Sequence, residues 1–174
     1  MELLDALRTT AAIRDFTDEA VPDEVVARIL DTARFAPSGG NAQSWHVVVV
    51  RDPQRRRALR DLYLDGWYDY LAMTAAGLRP WAPTNDRDAE AAALPAAAGI
   101  AADARAEGLG GVITTMCIAR EAEVRTVLDA PDHLALAAVV ALGHPVHQPT
   151  RLRRSTVGSF TTVDTVTGPP VVGP

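Results

Sequence analysis

Ser38-Gly39-Gly40-Asn41 joins a helical stretch that ends before Pro37 to the β-branched run His46–Val50. Two glycines and two small polar side chains leave the backbone N–H groups of such a loop uncovered, so a phosphate or a flat ligand can approach the main chain closely. The same residues also make an ordinary turn. A second glycine-rich stretch, Glu107–Gly111, runs into Val112-Ile113-Thr114-Thr115. There, too, a helix end followed by a core strand is the plain alternative. All 17 basic residues are arginine, and no lysine occurs. A Schiff-base lysine or a P-loop lysine is therefore excluded, and an anion must be held by guanidinium forks, backbone N–H groups or hydroxyls. Past Pro145 the chain carries basic residues at 151, 153 and 154, a charge run that also suits a solvated face. No Ser/His/Asp or Cys/His constellation stands out, and no metal site is expected.

These groups need elements to position them. Glu2–Arg8 reads as a short helix. Pro22 opens a second, with Asp23 and Glu24 in its first turn and Val25, Val26, Ile29, Leu30 and Ala33 on one face. His46–Val50 has the pattern of a strand buried on both faces. Pro53 starts a helix with Arg55, Arg56, Arg57 and Arg60 on its exposed face and a break near Gly66. Arg79–Asp88 reads as a loop, and the stretch from 79 to 100 contains no β-like run. The alanine-rich segment Ala89–Glu107 ends in a helix capped by Gly108. Val112–Cys117 and Leu134–Leu142 read as strands, with Glu121–Leu128 a helix between them. From Pro145 the chain has no helical period. Residues 155–174 form an arm whose Phe160, Val163 and Val166 are suited to lie across another surface. This order predicts one layered α/β or α+β domain spanning residues 1–174.

Composition narrows the function classes. Of the 174 residues, 48% are hydrophobic and 22% charged, an ordinary globular balance. The net charge of -5 and the absence of a basic stripe argue against nucleic acid. No apolar stretch reaches the roughly 20 residues that span a bilayer. The single cysteine, Cys117, cannot form an internal disulfide, which suits a cytoplasmic protein.

Two motifs together carry a resemblance. Ile13-Arg14-x-Phe16-Thr17-Asp18-Glu19-x-Val21-Pro22 and Ala36-Pro37-Ser38-x-x-Asn41-x-Gln43-x-Trp45 resemble the FMN-dependent nitroreductases. Glu107–Val112, Glu123–Leu128, Val139–Pro145 and the arginines of 151–154 continue it in order. The resemblance implies an α+β three-layer α/β/α sandwich with a mixed central sheet and a C-terminal arm reaching the partner subunit of a homodimer. It implies FMN, NADH or NADPH as reductant, and an electron-poor small molecule as acceptor. Arg14 then grips the phosphate or ribityl chain, with a salt bridge to Asp15 or Asp18 as the alternative. Pro37, Ser38 and Gly39 lie along the flavin ring, with Asn41 and Gln43 fixing that loop and bonding the ring or the ribityl chain. Gly110, Gly111, Thr114 and Thr115 run beneath the ring, and Arg153 and Arg154 complete the phosphate site. Trp67, Tyr70 and Trp81 belong to the segment covering the substrate pocket, with helix packing as the alternative. The flavin carries the chemistry, so no catalytic side chain is required. The stretch Thr10-Ala11-Ala12 departs from the family, which commonly has an Arg and a Ser there for the phosphate. A cofactor-binding relative without turnover, or a specialised dehydrogenase, are the rival expectations.

Overall fold

A computed structural model describes residues 3–77 and 99–171. The loop expected at Arg79–Asp88, the missing strand between 79 and 100, and Trp81 fall wholly or largely outside the described residues.

Helix α1 (Leu3–Thr9) ends where the hydroxyls of Thr9 and Thr10 turn back to the carbonyls of Asp5 and Ala6, at 2.6 Å each. Helix α2 (Asp23–Ala33) begins at the expected place, after Pro22 in an extended conformation. Its apolar face carries Ile29 and Ala33 into the core, where they meet Ile100, Ala104 and Leu109. Residues 99–106 form helix α4, which stops at Gly108 as expected. A φ of +81° at Gly108 lets the Leu109 N–H reach the carbonyl of Ala104 at 2.8 Å. Val25, Leu30, Val140 and Leu142 pack around this cluster, so α2 and α4 are clamped to the sheet. Burying each Ile, Leu or Val of this kind contributes roughly 1.5–3 kcal/mol.

Strands β1 (Gly110–Thr114) and β2 (Val139–Gly143) pair antiparallel, with Gly110 opposite Gly143 and Thr114 opposite Val139. A parallel bridge joins Ala12 to Gly111, and an antiparallel one joins Phe16 to Pro145. The pairing is therefore mixed, and the expected α+β class holds.

Helix α3 (Pro53–Ala75) and helix α5 (Glu121–Leu128) lie against each other and against the short 3-10 turn Met116–Arg120. Asp52 caps α3 by accepting the N–H groups of Gln54 at 2.6 Å and Arg55 at 3.2 Å. Those two bonds hold the Asp52 carboxyl below the usual carboxylate range. Arg55 donates to the Val127 carbonyl and to Asp129 at the end of α5, fastening the two helices together.

Several expectations need correction. His46–Val50 forms no strand, and Val47, Val48 and Val49 are 45–48% exposed. A β-branched run makes a strand only where another chain segment offers its backbone, and none of the described residues pairs with it. The third strand is confined to Val139–Gly143 instead of starting at Leu134, because β1 offers only five partners. The second strand starts at Gly110 and ends at Thr114; Met116–Arg120 coils instead. Helix α3 does not break at Gly66. That residue is buried where α3 crosses the Met116 turn, and a side chain there would run into the Met116 carbonyl oxygen. Glycine is used there for close approach, not flexibility. Arg55 is partly buried and bonded, while Arg56, Arg57 and Arg60 stay on the outer face as expected. Finally, residues 163–169 curl back, with the Val163 N–H bonded to the Pro169 carbonyl at 2.9 Å, so this part of the arm is a closed loop.

Two stability predictions follow from α3. Glycine to alanine inside a helix ordinarily stabilises by up to about 1 kcal/mol. Gly66→Ala reverses that sign, because the overpacking penalty of about 1–3 kcal/mol exceeds the propensity gain, and the urea midpoint falls. Asp52 is depressed in the folded state. Its contribution is fully present above the ordinary carboxylate range and is lost as pH falls through the depressed value. Urea titrations of wild type and Asp52→Asn show the wild-type advantage at about pH 7 and its decline as the pH falls below the ordinary carboxylate range.

Candidate functional site

The segment Ala12–Thr17 gathers the sequence motifs. Its Ile13 N–H donates to the Gly111 carbonyl at 2.9 Å, and its Thr17 N–H to the His144 carbonyl at 2.8 Å. In return the Val146 N–H donates to the Asp15 carbonyl at 3.1 Å. One short strap thus bridges β1 and the chain that leaves β2. Two glycines make the seat for it. A Cβ on Gly110 would lie 2.8 Å from Cβ and Cγ1 of Ile13, and one on Gly143 would lie 2.9 Å from Cδ1 of Phe16. These glycines face each other across the β ladder. Gly110 and Gly111 are buried, and their small size admits Ile13 and Leu142, so packing alone accounts for both.

The strap holds Arg14 outward. Arg14 is exposed and makes no ion pair with Asp15 or Asp18, nor with any other described residue. Arg151, Arg153 and Arg154 are exposed too, and among the described residues their side chains make one hydrogen bond, from Arg154 to the Arg153 carbonyl at 3.0 Å. By contrast, Arg28, Arg34, Arg51, Arg55, Arg60, Arg120 and Arg125 all have carboxylate partners. Among the described residues, uncompensated guanidinium groups thus stand on the strap and past β2, and also at Arg8, Arg56, Arg57 and Arg105. Thr10, the hydroxyl remaining in Thr10-Ala11-Ala12, donates its proton to Ala6. Thr10 is thus already engaged with α1.

The loop after α2 presents a different surface. Gly39 to Asn41 form one 3-10 turn, and Gly40, Asn41 and Gln43 take positive φ of 57°, 55° and 47°. Left-handed backbone is ordinary for Asn but uncommon for Gln. Two bonds hold it: the Gln43 N–H to Ser38 Oγ at 3.1 Å, and Gln43 Nε2 to Asn41 Oδ1 at 3.1 Å. Asn41 and Gln43 therefore fix the loop to itself. Pro37, Gly39, Asn41 and Gln43 are exposed, and nothing lies within 4 Å of where a Cβ on Gly39 or Gly40 would sit. The main chain there is open to a flat group.

Thr114 accepts the Met116 N–H at 3.3 Å, and the Thr115 carbonyl accepts the Ile118 N–H at 2.9 Å, so both threonines shape the exit from β1. Trp67 and Tyr70 stack with ring centroids 5.4 Å apart, and Trp67 stacks on Tyr63 at 6.4 Å. Tyr63 went unnoticed in the sequence, although its spacing of four residues from Trp67 on one helix face is the signal that finds it. Cys117 is buried with Sγ 3.8 Å from the Leu59 carbonyl, and burial pushes its thiol pKa up. It is a packing residue.

The strap motif and the loop motif both fall within residues 7–76, which match the Nitroreductase family profile. An NADH dehydrogenase of Thermus thermophilus is 32% identical over 79% of this chain and 83% of its own length. The chain belongs to the nitroreductase family. Members of that family are oxidoreductases, and so is this enzyme. Among solved structures, the NfrA1 nitroreductase of Bacillus subtilis superposes with a TM-score of 0.72 at 20% identity, covering 94% of this chain and 74% of that one. An oxidised iodotyrosine deiodinase bound to FMN and 3-iodo-L-tyrosine superposes at 0.70, with 21% identity and coverage of 90% and 96%. At these identities the likeness establishes the nitroreductase fold.

The glycine seat generates a prediction. Gly110→Ala and Gly143→Ala each force the strap away from the sheet, lowering stability by about 1–3 kcal/mol. The Gly110 change is the more severe, because it meets the branched, inflexible start of Ile13, whereas Phe16 can tilt its ring. Thermal unfolding of the two variants beside wild type measures the order.

Proposed function

We propose that the enzyme is an FMN-dependent oxidoreductase that works as a homodimer. The observation that carries this reading is the set of unpaired guanidinium groups, Arg14 on the strap and Arg151, Arg153 and Arg154 after β2, in a family whose relatives include FMN-bound proteins. The residues fit the group. An anionic tail finds arginine forks without competing carboxylates. A flat ring finds the open backbone of Gly39 and Gly40 beside Pro37 and Ser38. Bound FMN supplies the redox chemistry, taking a hydride from NADH or NADPH and passing it to an electron-poor acceptor of the quinone or nitroaromatic kind in ping-pong order.

The chain's own groups orient and shield. The loop 38–43, left-handed at Gly40, Asn41 and Gln43, is tied by the Asn41–Gln43 pair and by its own N–H bonds, and so offers the bare main chain of Gly39 and Gly40 without reorganisation. Gly110, Gly111, Thr114 and Thr115 support the site from below as β1 and its exit. The stacked rings of Trp67 and Tyr70 offer an aromatic wall to a planar acceptor. A second copy of the chain accounts for the large apolar side chains left open: Leu4, Leu7, Phe35, Val146, Phe160 and Val166 are 56–94% exposed.

Wild-type protein titrated with FMN quenches the flavin's fluorescence and sediments as a dimer. Arg14→Gln binds FMN about tenfold or more weakly, since a charge-assisted bond contributes roughly 1.5–3 kcal/mol. The same change has little effect on riboflavin, which lacks the phosphate. A colourless monomer that gains no flavin at micromolar concentrations overturns this reading. FMN binding without NADH or NADPH oxidation favours the binding-only alternative, to which the loss of phosphate donors at Ala11 and Ala12 points.

A further inference from the structure

We propose that Gln148 is a flavin-binding residue that holds the hydroxylated chain joining the ring to the phosphate. This rests on the FMN reading above. Among the described residues, both polar atoms of the Gln148 side chain, Nε2 and Oε1, are shut off from solvent and have no hydrogen-bond partner. Four residues earlier, His144 Nε2 is likewise without a hydrogen bond, its nearest carboxylate being Glu19 at 3.6 Å. A buried amide left unpaired costs about 1–3 kcal/mol, so a fold retains one where something else satisfies it.

Its place says what that is. Val146 is bonded to Asp15, the neighbour of Arg14, and Gln148 follows two residues later. Three residues further on begin Arg151, Arg153 and Arg154. Gln148 therefore sits on the stretch of chain that runs between the two sets of unpaired guanidinium groups. The chemistry divides accordingly. A guanidinium only donates, which suits a phosphate, whose oxygens accept. A carboxamide donates and accepts at once, and its natural complement is a hydroxyl, which does the same. A polyhydroxylated chain ending in a phosphate presents both partners in the right order. Gln148 is only partly buried as a residue. Rotation about its soft terminal torsion redirects the amide's donor and acceptor without moving the backbone.

A group kept for a ligand and a group kept for the fold respond oppositely to removal. Gln148→Leu keeps the bulk and deletes the unpaired atoms, so the flavin-free protein unfolds at the same or a higher temperature than wild type. The variant binds FMN and riboflavin about tenfold more weakly and binds lumiflavin, which has the ring but no ribityl chain, as wild type does. Loss of apoprotein stability with unchanged FMN affinity makes the amide a structural group and overturns the proposal. Equal losses for lumiflavin and FMN overturn it as well, since contact is then with the ring. Wild-type protein that binds none of the three ligands overturns the FMN reading itself, an outcome distinct from the other two.

Discussion

The seating of Ile13 and Phe16 on a facing pair of glycines is the contact on which the rest of the molecule depends. β1 and β2 are five residues each, too short a ribbon to stand alone. The strap Ala12–Thr17 extends their pairing on one side through Gly111 and on the other through Pro145. It lies within touching distance of both strands because Gly110 and Gly143, register partners, have no side chains to hold it off. Core packing from α2 and α4 then presses on the same sheet through Val140 and Leu142. Three stretches far apart in the chain are joined at one small patch.

Chemistry follows from that joining. Arg14 owes its position to its neighbours: Ile13 buried on one side, Phe16 wedged on the other, and the Asp15 carbonyl bonded to Val146. The charged side chains elsewhere behave differently. Arg28 meets Glu107 with 2.8 Å between them, raising the arginine's affinity for its proton and lowering the carboxyl's, and ties α2 to the end of α4. Among the described residues, Arg14, Arg151, Arg153 and Arg154 have no such partner, and neither do Arg8, Arg56, Arg57 and Arg105; what sets the first four apart is that they lie on the strap and on the chain past β2.

Much of this was legible in the residues. Helix α2 announces itself through Pro22, the acidic first turn and an apolar face at helical spacing. Helix α5 is read from end to end, and Gly108 as a cap follows from its place after an alanine-rich run. The family pattern spans the strap, the loop and the arginine run in order, and at the strap it reflects close approach, which leaves narrow choices of side chain. Boundaries of strands were less legible. His46–Val50 looks more like a buried strand than β2 does, yet β2 is paired and His46–Val50 is exposed.

The sequence by itself determined the kind of contacts available: arginine as the main cation toward a phosphate, glycine where backbones meet, a loop too small to cover its own amides. Helix formation, which closes its hydrogen bonds within a few residues, was determined there as well. Only the tertiary structure decided which β-branched run became a strand, that Gly66 serves a helix crossing and not a break, and that Thr10 turns its proton inward. It also left the Gln148 amide without a partner. Each of these depends on what a distant segment brings alongside, and strand pairing, overpacking and hydrogen-bond satisfaction are properties of two segments, not of one.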